Sequence, residues 1–272
     1  MATVRANGVE LYCEQRGEGE PIVLVHGSWT NADPWAPVAG ILAERFRVVA
    51  YDRRGHSRSG GSDSQGSVDE DAADLEALIG ELELPPAHVA TSSHGGNIAM
   101  RLAARSPDLL RSLTMHEPPS FGVLGDAPEE RAALEQNRAD AARVREPLEA
   151  GDHEEGARRF VNEIAFGPGA WEEQLPAPVR EMFVGNAPTY LDELRDPDNL
   201  DVREAELSKL GIPVQITLGT ESPSFFSLIA DRLAEIFPRC RRRTIEGASH
   251  GPQLSHPAPY ARLIAEHAGS AS

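Results

Sequence analysis

Two hydrophobic rhythms alternate along this chain. The segment Gly8–Gln15 (GVELYCEQ) switches between apolar and polar at every step, as a half-exposed strand does. Pro21–Val25 and, after Arg47, the run to Tyr51 are apolar at consecutive positions, the pattern of strands buried on both faces. Ser67–Leu84 instead places a capping serine before acids in a first turn, then apolar residues at helical spacing. The same alternation continues with a strand at His88–Ser93, a helix at Gly95–Arg105 and a strand at Leu109–His116. Near the C-terminus come a strand at Ile212–Gly219, a helix at Phe225–Phe237, a strand at Arg239–Ile245 and a helix at Ala258–Ala268. Strands and helices in alternation predict a mostly parallel sheet with helices on both faces.

One stretch breaks the rhythm. From Ser120 to Glu206 the patterns are helical, interrupted by Gly and Pro, and no strand is predicted. The expected organisation is therefore a core built from residues 1–119 and 207–272, with 120–206 inserted as a helical cap or lid. Mixed charges at i to i+4 spacing in that insertion read as solvated helix faces.

Composition narrows the partners. The chain has 272 residues, 40% hydrophobic, with 43 acidic against 26 basic residues and a formal net charge of −17. Such a surface repels phosphate backbones and anionic bilayers, so neither nucleic acid nor membrane is expected as a partner. No run reaches the roughly 20 apolar residues of a membrane span, and the N-terminus lacks a signal-peptide pattern. Cytoplasm is the expected location, with Cys13 and Cys240 reduced. Phosphate-binding and dinucleotide loops are missing, and the "HEEGA" at His153 lacks the second histidine of a zinc helix, so no metal or cofactor is expected.

Chemistry-bearing residues gather where the predicted strands end, the place where open α/β sheets bind ligands. Thr91-Ser92-Ser93-His94-Gly95-Gly96 lies between a strand and a small-residue helix. Only the frame centred on Ser93 puts a glycine, Gly95, two residues after the serine, which marks Ser93 as the nucleophile of a G-x-S-x-G-type elbow. Thr91 replaces the first glycine and is expected to crowd the turn. His250 in "GASHGP" fits a general base, since imidazole titrates near neutrality and can take the serine proton. The backbone N–H groups of Ser28, in "HGSW", and of His94 are the expected donors to an oxyanion. His26 is expected to bridge loop backbone. Asp52, Arg53 and Arg54 are expected to shape a turn, with Arg54 or His56 as a lesser candidate for substrate contact. His88, before a strand, His256 at a helix start, and His153 and His267 on exposed helices receive no role.

With "HGSW", "DRRGHSRSG", the serine elbow and a late "GASHGP" in this order, the chain resembles the α/β-hydrolase superfamily over nearly its whole length. That resemblance implies the α/β-hydrolase fold, with a mostly parallel eight-stranded sheet, helices on both faces, an inserted helical lid, and an acid to complete a triad. In "ITLGTESPSFF" the usual aspartate position holds Ser222. Two glutamates compete for the role: Glu221 in that segment, and Glu117 in "MHEPP". Glu117 precedes Pro118, which is expected to hold it extended in line with its strand. Within the superfamily, the zearalenone lactonases are similar at His116-Glu117-Pro118, at the paired serines of the elbow and at Phe225-Phe226; this likeness implies Glu117 as the acid.

The resulting expectation is a serine hydrolase of a carboxylic ester or lactone, with a zearalenone-like macrolactone as one candidate, and no cofactor. Trp29, Trp171, Phe183 and Tyr190 are aromatic candidates for substrate contact. A homodimer is compatible with this picture. The alternatives are another reaction on the same scaffold (carbon–carbon bond hydrolysis, perhydrolysis, thioester cleavage) or a non-catalytic receptor.

Overall fold

The computed structural model describes residues 2–61, 65–84 and 86–271. Eight strands form one sheet: β1 (Ala2–Ala6), β2 (Val9–Arg16), β3 (Glu20–Val25), β4 (Phe46–Tyr51), β5 (Ala87–Ser92), β6 (Leu110–His116), β7 (Val214–Gly219) and β8 (Cys240–Ile245). Their spatial order is β1-β2-β4-β3-β5-β6-β7-β8. β2 runs antiparallel to both of its neighbours, and every other pairing is parallel. Chain order reverses around β3, which lies between β4 and β5. Loops leaving β3 and β5 diverge there and open a crevice at the carboxyl ends of the strands.

Alternation within β3 divides the core in two. Val23 and Val25 face one layer, and Ile22 and Leu24 face the other; all four are fully buried. Helix α1 (Ala36–Leu42) covers the second layer together with the C-terminal helix. On the first layer lie α2 (Val68–Glu81) and α3 (Gly95–Arg105). Ser67 caps α2 as its sequence predicts, its hydroxyl accepting from the Glu70 N–H. At the far edge, β8 carries three consecutive arginines, a charged edge that discourages pairing with another sheet.

Between β6 and β7 come α4 (Pro128–Glu149), α5 (His153–Arg159), a π-helical turn at Phe160–Ala165, α6 (Ala170–Glu173), α7 (Ala177–Arg195) and α8 (Glu204–Leu207). No strand occurs in this segment among the described residues. Val144, Leu148, Phe160, Trp171 and Phe183 build its separate core, which Trp29 from the loop after β3 enters as well. The chain then finishes with α9 (Phe225–Ile236), α10 (Pro252–Ser255) and α11 (Pro257–Gly269). Among the described residues, no helix is long and apolar enough to cross a membrane. Cys13 and Cys240 are both free thiols.

Two expectations need correction. His88 lies inside β5 rather than before it, with Nδ1 against Ser112 Oγ at 2.8 Å. His267 belongs to the inner face of α11 and is buried, its Nε2 3.3 Å from Pro213 O.

Candidate active site

Three strand ends deliver the expected residues to one cavity of about 270 Å³, lined by Ser28, Ser93, His94 and His250. Ser93 follows β5 directly and sits in the left-handed region at φ 53°. A non-glycine residue rarely stays there unless its surroundings enforce it. Here they do. The Ser93 N–H donates to His116 O (2.8 Å), and Gly96 N–H donates to Ser93 O (2.8 Å). Side chains are excluded all round: a Cβ on Gly27 would lie 2.7 Å from Ser93 Cβ, and one on Gly95 only 2.6 Å from Val25 O. The crowding expected from Thr91 is relieved at Gly96. Its bare Cα leaves space for both Pro118 and the Thr91 hydroxyl.

Glu117, one residue past β6, departs from expectation. Its φ is 46°, so the backbone turns left-handed instead of continuing the strand, despite Pro118. The turn swings the carboxylate toward β7 and the loop after β8. Oε1 accepts from Gly219 N–H (2.7 Å) and Oε2 lies 2.7 Å from His250 Nδ1. Burial would push this carboxyl up; the interactions with His116 and His250 outweigh it and hold it below the usual carboxylate range. Glu221 is exposed, with its backbone N–H bonded to Ala248 O. Of the two competing glutamates, Glu117 is the one that touches His250.

His250 is only 7% exposed, so its ring is held by packing. Phe226 stacks on it at 4.7 Å and 13°. Ser93 Oγ and His250 face the same cavity, and no hydrogen bond closes between them among the described residues. Catalytic pairs are often this loose until substrate tightens them. Ser28 and His94 flank Ser93, and neither backbone N–H has a protein acceptor among the described residues. His94 also begins α3, whose N-terminal dipole favours negative charge at this point.

The loop carrying Ser28 is tied down in part by two residues of α7 that the sequence did not single out, Glu193 and Asn186. Ser28 Oγ donates to Glu193 Oε2 at 2.5 Å. Glu193 comes from α7 and also receives Arg53 Nη1 at 3.1 Å; Arg53 in turn bonds Asp71 (2.6 Å) and Gly27 O (3.2 Å). Burial pushes the Glu193 carboxyl up against the opposing pull of Arg53 and Ser28. Asn186, two turns earlier on the same face of α7, gives its amide to Trp29 O and Thr30 O, both at 3.0 Å. His26 bridges loop backbone as expected, donating from Nδ1 to Gly27 O (2.8 Å) and accepting Arg53 N–H at Nε2 (2.8 Å). Burial and Arg53 push it down to about 3, so it is neutral.

Of the four aromatic candidates, Tyr190 lines the cavity. Trp29, Trp171 and Phe183 pack against one another in the core of the helical segment instead. Large rings there gain more from mutual burial than from facing a wet cavity. The cavity's apolar wall is made by residues such as Phe121, Phe160, Ile164 and Phe225. The π-helical turn supplies two of these, a common use of such turns. Arg54 is bound to Asp74 (2.6 Å), and neither it nor His56 lines this cavity.

His116, Glu117 and His250 bring three ligand-type atoms within 4.8 Å of one another. The 2.7 Å between His250 Nδ1 and Glu117 Oε2 is a hydrogen-bond distance. Two tetrahedral ligands at about 2.0 Å from zinc would stand about 3.3 Å apart. This group fits mutual hydrogen bonding better than an ion.

The chain matches the alpha/beta hydrolase family over residues 22–263 and belongs to that family. It is 32% identical over 263 residues to the pimeloyl-acyl-carrier-protein methyl ester esterase of Chromobacterium violaceum, covering 95% of this chain and 98% of that one. With the uncharacterized hydrolase YraK of Bacillus subtilis it shares 37% identity over 118 residues, spanning 43% of this chain and only 44% of that relative. An alpha/beta hydrolase of Sphaerobacter thermophilus superposes with a TM-score of 0.78 at 25% identity, covering 98% and 99% of the two chains. The chain thus has the fold of this family.

Proposed function

We propose that this hydrolase cleaves a carboxylic ester or lactone through an acyl-enzyme on Ser93. The 2.7 Å bond between His250 and Glu117, beside a left-handed Ser93, is the observation that carries the reading. Ser93 Oγ attacks the carbonyl carbon as its proton passes to His250 Nε2, while Glu117 holds Nδ1–H and the imidazolium that forms. The oxyanion is received by the Ser28 and His94 N–H groups. As the C–O bond breaks, His250 returns the proton to the leaving alcohol. Water then attacks the acyl-enzyme by the same relay. The helices between β6 and β7 act as a cap whose apolar wall receives the acyl or alcohol group. A methyl ester esterase aligned over 95% of the chain supports an ester bond as the target. A macrolactone of the zearalenone kind is the finer reading, resting on the placement of the acid at Glu117.

The test combines covalent labelling with a substrate panel. A fluorophosphonate should modify Ser93. Ser93→Ala should lose at least roughly 10³-fold in kcat on activated esters. On esters and macrocyclic lactones, Glu117→Ala should collapse activity while Glu221→Ala retains it. Unchanged turnover in Ser93→Ala sinks the reading; thioesters or carbon–carbon bonds cleaved in preference to esters would redirect it.

A further inference from the structure

The residue before the acid has no role in the chemistry above, yet its placement is unusual. Neighbouring residues on a strand point to opposite faces. The left-handed turn at Glu117 cancels that rule, and the His116 and Glu117 side chains meet: His116 Nε2 lies 3.4 Å from Glu117 Oε2. Both residues are completely buried. Nε2 has no hydrogen-bond partner of ordinary geometry, so the carboxylate oxygen is the group it faces. That same oxygen takes His250 Nδ1. Two imidazoles therefore converge on one carboxylate oxygen.

We propose that His116 is a positioning residue that presents an N–H from Nε2 to Glu117 and thereby fixes the charge and direction of the carboxylate that orients His250. The proton assignment follows from the partners of the ring. His116 Nδ1 lies 3.0 Å from Thr217 Oγ1. If the Thr217 hydroxyl donates to Nδ1, the neutral ring carries its proton on Nε2, aimed at the anion. The other choice has Thr217 donating to Met115 O, 3.4 Å away, and leaves a bare Nε2 lone pair facing a buried carboxylate. Electrostatics in a dry interior disfavours it strongly. Tyr260 of α11 packs against the same ring at 5.5 Å and commits its hydroxyl to Thr91 O (2.9 Å), so it does not compete for Glu117. The titratable groups facing His116 are thus Glu117 beside it, His250 from the loop after β8, and Tyr260.

This inference rests on the proposed roles of Ser93, His250 and Glu117, and the experiment separates the two. Fluorophosphonate labelling of the wild-type enzyme at Ser93 reports on those roles alone. Given labelling, His116→Phe should lower kcat/KM by roughly 10- to 100-fold with KM little changed, and slow labelling in parallel. His116→Gln retains a side-chain N–H and should recover most of the loss. With less of its charge offset, Glu117 should hold the His250 imidazolium more tightly in His116→Phe, so the acidic limb of kcat/KM moves to higher pH. A purely structural role would lower the rate without moving that limb. In the wild type, nitrogen-15 NMR of the histidines should show the His116 proton on Nε2 at pH 8, a measurement that needs no variant to fold. A bare Nε2, equal damage in His116→Phe and His116→Gln, or a profile that stays in place would each overturn the proposal.

Discussion

Glu117 holds a left-handed φ of 46° immediately after a strand, a conformation that costs a non-glycine residue about 1–2 kcal/mol. Ser93 and Trp29 share it, at 53° and 67°, each one to four residues past a strand of the same sheet. The three follow the carboxyl ends of the neighbouring strands β3, β5 and β6, and of them Ser93 lines the cavity. The ionised form of Glu117 is favoured in the folded state, so the unfolded chain binds its proton more tightly. The stability it confers is full above the ordinary glutamate value of about 4.3 and is lost as pH falls below that toward the depressed folded value. Glu117→Gln should therefore melt below the wild type at pH 7, with the gap closing on acidification. Equal gaps at pH 7 and pH 3.5 would refute this coupling. Ser93 and His250, which face one cavity, were singled out by their neighbours along the chain. Glu117 was preferred to Glu221 on the sequence, but on the expectation of an extended strand end before Pro118; the structure places a left-handed turn there instead.

At the scale of elements, α7 does more than cover the cavity. Asn186 and Glu193 lie two turns apart on it and fasten the loop carrying Ser28, one through backbone carbonyls and the other through a hydroxyl. Asn186 Oδ1 also accepts Ser57 N–H at 2.8 Å. Asn186→Ala would leave three backbone groups short of a partner, of which the Trp29 carbonyl is buried, and should cost about 1–2 kcal/mol in urea denaturation. It should also lower kcat more than it raises KM, since the loop rather than the cavity wall is loosened. An unchanged kcat in a destabilised variant would separate α7 from the site. Neither residue stood out in the sequence, where Asn186 is one polar position in a helix and its partners are 129 to 157 residues away. Local pattern did predict α2 with its Ser67 cap and the buried strands β3 to β5. It left β1 unassigned, although Asn7-Gly8 is a strong hairpin signal and both residues turn left-handed between β1 and β2.

For the whole molecule, burial sets the response to acid. His26 and His94 are pushed down to about 3 by burial and Arg53, and His267 to about 4 by burial and Arg241; His56, buried beside Arg53, also lies well below its usual value. These rings are neutral in the fold and titrate near 6.5 when unfolded, so between those values the unfolded state holds more protons. Stability then falls as pH falls, by up to about 1.4 kcal/mol per pH unit for each ring. Urea midpoints should drop steadily from pH 7.5 to pH 4.5, and a flat profile would contradict the burial of these histidines. Sequence by itself determined the layered α/β architecture, because hydrophobic period and turn residues are local quantities. It likewise singled out Ser93 and His250, whose neighbours along the chain mark them as the candidate nucleophile and base. Tertiary structure decided which glutamate meets His250, which aromatic rings pack inward rather than line the cavity, and which helix secures the Ser28 loop. The acid contact and the fastening of the Ser28 loop join residues more than a hundred positions apart, and only strand order and backbone turns bring such residues together.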